Sequence, residues 1–527
     1  PAFIMAFDHS EALTASLRKC AILADEKNFT FYTELRRVAR NINRRRSFWM
    51  LFLATAGKFH LHTPPLPLDS SARVIPDLMC TFPPITEVEM DRWMVNVPCD
   101  GTASLDSIAS TYNLAHLGRA LFSTRYDHGS KTVRGDIIRY ARETLLGPLG
   151  YRTLDDDQQL ACLCVRLGLR FQAVNWLQSE AERRQVEKHL RLCLGAPTGK
   201  HPMITIAPSE PLLAEAATKT MGPYATWRVA DALLNHVKTS HISLGSHGEV
   251  VAAAILIEAR DVAAWKRSAS YNVDLKSDGF ATGRVISVVD FLEALLGINK
   301  GIRKMSASCF QTNAEAIAFE EAFKDCYVNF SHFLRADNFD ILSQMHLARI
   351  MCRCAAVICP NNQRGTDLVI PVLRGKVLDD KNITAILVHV KNDVTYTTTV
   401  LPRVFDEMCP LDLGLFAKGA TPLPVVRLVF ALASPEPAVV LVDDEMRRQS
   451  THALAKECGY AAFDIWCAGA TRATFPAIHS KSGEAYVKAV LLTRSNGLVY
   501  DPITSSVTRG RKRGGLWSRN GKPCAVP

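Results

Sequence analysis

The chain has 527 residues, of which 48% are hydrophobic and 22% are charged, and its 62 Lys and Arg against 52 Asp and Glu give a net charge of +10. At about 150 residues per domain, this length predicts roughly three or four folded domains and excludes a peptide or a single small module. The near-average composition excludes a fibrous or wholly disordered chain, and the positive charge favours polyanionic partners.

Two absences in the sequence predict the compartment. The 15 cysteines follow no regular spacing, which is typical of reduced thiols in an intracellular protein rather than of a disulfide framework or zinc knuckles. No apolar run approaches the ~18 residues that cross a bilayer, so we expect no membrane partner. Because the first residue is Pro1, inside an apolar run, we expect natural sequence to precede it.

The first predicted unit, residues 1–105, has a strand–helix–strand pattern. Residues 1–7 predict a buried parallel strand that ends in Asp8, residues 25–46 a basic helix, and residues 47–55 a second buried strand. Asp8 is either a capping residue or a cofactor-binding carboxylate, because the first strand resembles the Walker B strand of a P-loop NTPase. His9 stands where that resemblance implies an acid, and residues 195–201 fail as a Walker A loop, so ATP binding is not expected.

The rest of the chain predicts a helical subdomain and then a second α/β unit. Helical periodicity fills residues 106–220, and residues 221–500 form the second unit with an insertion at about 265–350. In this unit Glu249 lies in the first turn of an apolar helix at 250–264, and further helices are predicted at 285–296, 313–323 and 446–458. Strands are predicted at 355–359, 367–373, 383–391, 425–433, 438–442 and 463–467.

Four residues of this second unit suggest phosphodiester chemistry. Asp367 begins one strand and Lys391 ends the next, and the intervening turn at 378–382 predicts a β-hairpin. His389 and Lys391 are two residues apart in a strand and therefore face the same side. We expect Glu249 to lie against that sheet face. Carboxylates and a lysine supply what hydrolysis of a phosphodiester needs, namely oxygen ligands for a divalent metal and a cation near the nucleophile.

This order, Gly248-Glu249 on a helix, Gly365-Thr366-Asp367 opening a strand and Val390-Lys391 closing the next, resembles the PD-(D/E)XK nuclease superfamily. The resemblance implies that Glu249 and Asp367 bind Mg²⁺ or Mn²⁺ and that Lys391 is the catalytic lysine. His389 replaces the expected acidic residue or Gln, and imidazole suits Mn²⁺ better than Mg²⁺. The alternative is that Glu249 is favoured by the helix dipole and that Lys391 is an ordinary solvated strand end.

The wider pattern is similar to fungal transposon-derived and Crinkler-type proteins. It includes the sequences Phe-Asp-Ile-Trp at 463–466 and Gly-Thr-Asp-Leu-Val-Ile-Pro at 365–371. The resemblance implies an α/β fold: a partial P-loop NTPase-like sheet with a helical subdomain, followed by a restriction-endonuclease-like α/β domain. It also implies DNA as the partner and a nuclear location.

A basic tail closes the sequence at 501–527. Arg509, Arg511, Lys512 and Arg513 lie in a segment without acids, which predicts either a nucleic-acid-binding or nuclear-localisation arm or a merely solvated tail.

Three functions therefore remain open from the sequence. The first is a divalent-metal-dependent DNA nuclease-like protein with a degenerate NTPase region, its catalysis intact or impaired by His389. The second is a non-enzymatic scaffold, derived from such a nuclease, that binds nucleic acid or protein. The third is an unrelated α/β interaction protein.

Overall fold

The computed structural model describes residues 3–8, 10–14, 31–43, 48–53, 89–148, 153–171, 180–195, 203–221, 225–238, 247–270, 284–309, 317–443, 445–446 and 459–496. The basic segment 509–522, the loop after Gly195 and all but the first residue of the helix predicted at 446–458 lie outside these ranges.

The N-terminal strands form a small parallel pair. Strands β1 (Phe3–Phe7) and β2 (Phe48–Phe52) pair in parallel, and helix α1 (Phe31–Asn43) connects them and packs the ring of Tyr32 edge-on against Phe52 at 4.8 Å. The predicted strand–helix–strand order is confirmed. The predicted burial is wrong, because Ile4 is 74% exposed and every second side chain of β2 is exposed. A two-stranded sheet with one helix has only one face to bury.

Most strands belong to one central sheet of nine. Their bounds are β6 (Ile286–Ser287), β7 (Cys326–Val328), β8 (His332–Arg335), β9 (Ala355–Ile358), β10 (Leu368–Arg374), β12 (Ile383–Lys391), β13 (Val425–Ala431), β14 (Ala438–Val442) and β15 (Ala462–Ala468). The order across the sheet is β14-β15-β13-β12-β10-β7-β6, and β9 pairs with both β10 and β8.

The direction of the strands changes within this sheet. Strands β9, β10 and β12 form an antiparallel meander in which Leu368 lies opposite Val388, which confirms the predicted hairpin. Strand β13 then runs parallel to β12, and β15 runs parallel to β13. The connection between β10 and β12 contains β11 (Val377–Asp379), which pairs with β3 (Asp100–Ser104) outside the sheet. Strands β4 (Leu192–Gly195) and β5 (Ile204–Ile206) form a separate hairpin.

Helices cover the sheet and build the region before it. Their bounds are α2 (Leu105–Ile108), α3 (Thr111–His116), α4 (Ala120–His128), α5 (Lys131–Gly135), α6 (Ile137–Leu146), α7 (Asp156–Leu167), α8 (Glu180–Lys188), α9 (Pro211–Met221), α10 (Val229–Lys238), α11 (His247–Ser270), α12 (Val288–Leu296), α13 (Phe319–Ala322), α14 (Gln344–Cys352), α15 (Pro402–Asp406) and α16 (Gly483–Asn496).

The two faces of the sheet have separate apolar cores. Ile386 and Val388 of β12 point to the face covered by α11, α12 and α16, whereas Ala385 and Leu387 point to the face covered by α14 and α15. Because consecutive strand residues alternate between faces, a strand buried on both sides is mostly apolar, as β12 is from Ala385 to Val388. Helices on both faces of a mixed sheet confirm the α/β class.

The helices predicted as a separate subdomain share one of these cores. Leu160, Leu163 and Leu167 of α7 belong to the same buried cluster as the sheet residues Leu368 and Ile386. The region before residue 220 therefore packs directly on the sheet through α7. The other side of α7, with Ala161, Cys162 and Val165, joins α3, α4, α6 and α9 in a smaller core.

A buried ion pair ties the parallel half together. Arg427 of β13 and Asp464 of β15 are register partners, both fully buried, and their side chains are joined by two contacts, Nε to Oδ1 at 2.6 Å and Nη2 to Oδ2 at 2.7 Å. Arg427 also donates to the carbonyl oxygen of Phe405 at 2.9 Å and to the hydroxyl of Tyr460 at 3.1 Å. A charged residue in the middle of an apolar strand is thus fully hydrogen-bonded.

Candidate functional site

The four predicted residues lie at one end of the sheet: Asp367, His389 and Lys391 at the ends of its strands, and Glu249 on a helix beside it. Asp367 directly precedes β10, and its N–H donates to the carbonyl oxygen of Val388 at 2.9 Å, so the start of β10 lies beside the end of β12. His389 and Lys391 occupy that end of β12. Glu249 approaches it from the first turn of α11, where a Cβ on Gly248 would lie 3.2 Å from the Val390 side chain.

The carboxylate of Asp367 is already engaged. Its Oδ2 lies 2.7 Å from Nδ1 of His389 and accepts the N–H of Val390 at 2.6 Å. Since a carboxylate only accepts hydrogen bonds, the hydrogen of the first contact is assigned to the imidazole. This Asp–His pair fixes the imidazole ring and leaves Nε2 of His389 as the nitrogen that can meet a ligand.

Glu249 pairs with an arginine that the sequence did not indicate. Its carboxylate lies 3.3 Å from Nη1 of Arg335, which ends β8. Burial raises the pKa of Glu249, Arg335 opposes that rise, and the nearby charge of Asp367 adds to it. Burial also raises the pKa of the Cys359 thiol, and the charges of Asp367 and Glu249 raise it further. Glu249 and Asp367 are therefore close enough for their charges to interact.

Lys391 does not join this group. Its Nζ lies 5.4 Å from the ring centre of Tyr396, and among the described residues it forms no ion pair with Asp367 or Glu249. His389 and Lys391 leave the same side of β12, as expected, but α11 covers the opposite face. The expectation that Glu249 lies against the His389–Lys391 face is wrong. Glu249 comes near Asp367 at the end of the sheet and not across the face that carries His389 and Lys391.

One oxygen of each carboxylate is already engaged. Oδ2 of Asp367 accepts hydrogen bonds from an imidazole and a backbone N–H, and Oε2 of Glu249 pairs with a guanidinium, so a divalent cation would meet the remaining oxygen of each acid. Within the described ranges no group of three or more His, Cys, Asp or Glu side chains is arranged to hold a metal ion. A Mg²⁺ or Mn²⁺ ion of the kind that the resemblance implies would share the two acids with His389 and Arg335.

Arg335 is the functional residue that sequence reasoning missed. Its side chain is only 7% exposed, and its Nε and Nη2 have no hydrogen-bond partner in the described part of the chain. Burial lowers the pKa of this guanidinium, Glu249 opposes the shift, and the positive charge of Arg170 adds to it. The site thus contains a buried cation with two unused donors and a second, half-exposed cation beside it. Nothing in the local sequence pairs residue 335 with residue 249.

The remaining predicted residues lie elsewhere. Asp8 is exposed at the end of β1, in the small parallel pair. Arg509, Arg511, Lys512 and Arg513 lie outside the described residues. None of the described helices is both long enough and apolar enough to span a membrane.

Residues 155–403 match a family described as a domain of unknown function (DUF8736). The match runs from the residue before α7 into α15 and includes Glu249, Arg335, Asp367 and His389. Comparisons with curated proteins and with solved structures give no match for this chain.

Proposed function

We propose that this protein is a nuclease-like DNA-binding protein of the PD-(D/E)XK type in which the metal site has been replaced by an Asp–His pair. The observation that carries the proposal is the carboxylate of Asp367, which accepts hydrogen bonds from His389 and from the Val390 N–H. The protein binds DNA through this end of the sheet and does not cleave it.

The order of elements supports the fold half of this proposal. A long helix, α11, precedes an antiparallel meander of β9, β10 and β12, and the short helix α15 leads to β13, which is parallel to β12. Residues at the positions that the resemblance assigns, namely Glu249, Asp367 and His389, meet at one end of this unit. The Crinkler-type relationship and the P-loop NTPase origin of residues 1–105 are parts of the same proposal.

The charges around the site support a phosphate ligand. Among the described residues Nε and Nη2 of Arg335 have no hydrogen-bond partner, and paired N–H groups of arginine match the oxygens of a phosphate. Arg170 adds a second cation at the surface, where it pairs with the exposed Asp337. The chain carries a net charge of +10, and the basic segment 509–522 is the proposed second DNA contact and nuclear-targeting arm.

Fluorescence anisotropy with a labelled DNA duplex tests this proposal. Binding is expected in EDTA, and Arg170→Gln should reduce the slope of log Kd against log salt by about 1, since one phosphate contact is lost. Arg139→Gln is the matched control, because Arg139 is 61% exposed and pairs only within α6 and its cap. Binding that requires Mg²⁺ or Mn²⁺, or equal slopes for Arg170→Gln and the wild type, would contradict the proposal.

A further inference from the structure

A cavity lies along the same long helix α11, away from the Asp367 site. It has a volume of about 300 Å³ and is enclosed by α11, by the start of α10 and by the loop before α16. Glu249 and Glu258 are nine residues apart on α11, so the cavity begins about 14 Å further along the helix axis. It is therefore distinct from the candidate site described above.

The walls of the cavity are apolar and aromatic. Trp227 and Trp265 contribute two indole rings, and Ile257, Val262 and Met221 complete the apolar lining. Nε1 of Trp227 is buried and has no hydrogen-bond partner in the described ranges. Indole rings present flat faces for stacking, and an unused indole N–H needs an acceptor. A planar ring with an acceptor at its edge satisfies both features.

A partly buried carboxyl group, that of Glu258, is available to such a ring. Burial raises the pKa of Glu258 to about 8. The negative charges of Asp261 and Asp231 raise it as well, whereas the hydrogen bond from Tyr486 and the positive charge of Arg228 lower it. The hydroxyl of Tyr486 donates to Oε2 at 3.1 Å. A carboxyl group that keeps its proton at neutral pH both donates and accepts hydrogen bonds, as the edge of a nucleobase does.

Two cations, Arg228 and Lys266, line the cavity, together with His479 and the acid Asp261, which pairs with Arg166 and Arg260. Nε of Arg228 has no partner within the described part of the chain. Burial lowers the pKa of His479, and three neighbouring cations lower it further. These cations are Arg228, Lys481 and Arg472. An excess of positive charge beside an apolar slot favours an anionic group attached to a planar ring.

We propose that this cavity binds a mononucleotide, with the base against the indole rings and the phosphate at the cationic rim. The base is held by Trp227 Nε1 and the Glu258 carboxyl group, and the phosphate by Arg228 and Lys266. The volume is at the lower end of the range for small-molecule sites, which suits a single nucleotide rather than a dinucleotide.

Isothermal titration calorimetry on the full chain tests the proposal, with the four ribonucleoside 5′-monophosphates, their nucleosides and ribose 5-phosphate as probes. At least one monophosphate should bind saturably, and its nucleoside should bind about tenfold more weakly, because a charge-assisted contact is lost. Glu258→Gln, which retains a donor and an acceptor, should bind within about threefold of the wild type, whereas Glu258→Leu should not bind.

Lys266→Gln gives a variant on the exposed rim that leaves the core intact. It should weaken binding of the monophosphate about two- to fivefold and leave binding of the nucleoside unchanged, while Lys238→Gln at the far end of α10 should change neither.

The absence of binding by all four monophosphates up to about 1 mM would overturn the proposal. If the nucleoside bound as tightly as the monophosphate, the proposed phosphate contacts would be wrong. If ribose 5-phosphate bound as tightly as the monophosphate, the proposed base contacts would be wrong. Arg170→Gln should leave nucleotide binding unchanged, which separates this result from DNA binding at the other site.

Discussion

Replacing Asp464 by Asn tests how the parallel half of the sheet is held together. Asp464 accepts two hydrogen bonds from Arg427, both side chains are 0% exposed, and the pair joins β13 to β15. The substitution keeps the size and shape of the side chain but removes its charge. It leaves the guanidinium of Arg427 buried without a counter-charge, since its other acceptors, Phe405 and Tyr460, are neutral.

The size of the effect follows from this burial. Removing one partner of a buried ion pair costs about 3–5 kcal/mol, because the remaining charge stays desolvated. Arg427→Met should cost a similar amount, since it removes the buried cation that balances the charge of the Asp464 carboxylate. The double variant removes both charges, so it should lose less than the sum of the two single losses by at least about 2 kcal/mol.

Urea unfolding followed by far-UV circular dichroism gives these free energies of unfolding. Arg303→Gln is the control, because Arg303 pairs with Glu293 and Glu320 but is 43% exposed, and its loss should cost about 1 kcal/mol or less. Losses for Asp464→Asn no larger than for this control, or single losses that simply add in the double variant, would refute the role given to the buried pair.

Two further predictions concern a glycine and a partly buried acid. Gly365→Ala should destabilise the fold by more than about 2 kcal/mol in the same urea assay. Gly365 has a φ of +76°, and a Cβ there would lie 1.9 Å from the carbonyl oxygen of Glu407. An unchanged urea midpoint would contradict this prediction and show that the loop is free to move. Burial raises the pKa of Glu258 from 4.5 to about 8, so its protonated form adds stability that is full below pH 4.5 and is lost as the pH rises through 8. Between these values the stability of the wild type relative to Glu258→Gln should fall by about 1.4 kcal/mol per pH unit, and a pH-independent difference would contradict the assignment.

The strands that carry the site were predictable because they are buried on both faces. A mostly apolar run from Ile383, followed by the alternating polar residues His389 and Lys391, predicts the bounds of β12 to the residue. The sequence also places Glu249 correctly in the first turn of α11. The same pattern failed for β1, where an equally apolar run forms an exposed strand in a two-stranded sheet. Local sequence does not report how many neighbours a strand will have.

The composition of the site was less predictable than its position. Asp367 and His389 were both identified, but their contact depends on the antiparallel register of β10 and β12, and it changes a possible metal ligand into a hydrogen-bond acceptor. Arg335 enters the site only because β8 pairs in parallel with β9, so that its end lies beside residue 358. Strands β7 and β8 were not predicted, being three and four residues long. Such long-range pairings leave no periodic signal in the sequence.

Incubation of supercoiled plasmid with the wild type, Lys391→Ala and His389→Glu, each in EDTA, Mg²⁺ and Mn²⁺, tests the central claim most directly. We expect all three proteins to bind the plasmid and none to nick it, because Asp367 and Glu249 are engaged by hydrogen-bond and ion-pair partners and Lys391 contacts Tyr396 instead of either acid. Metal-dependent nicking by the wild type that disappears in Lys391→Ala, or nicking gained in His389→Glu, would contradict the account and establish a working PD-(D/E)XK site.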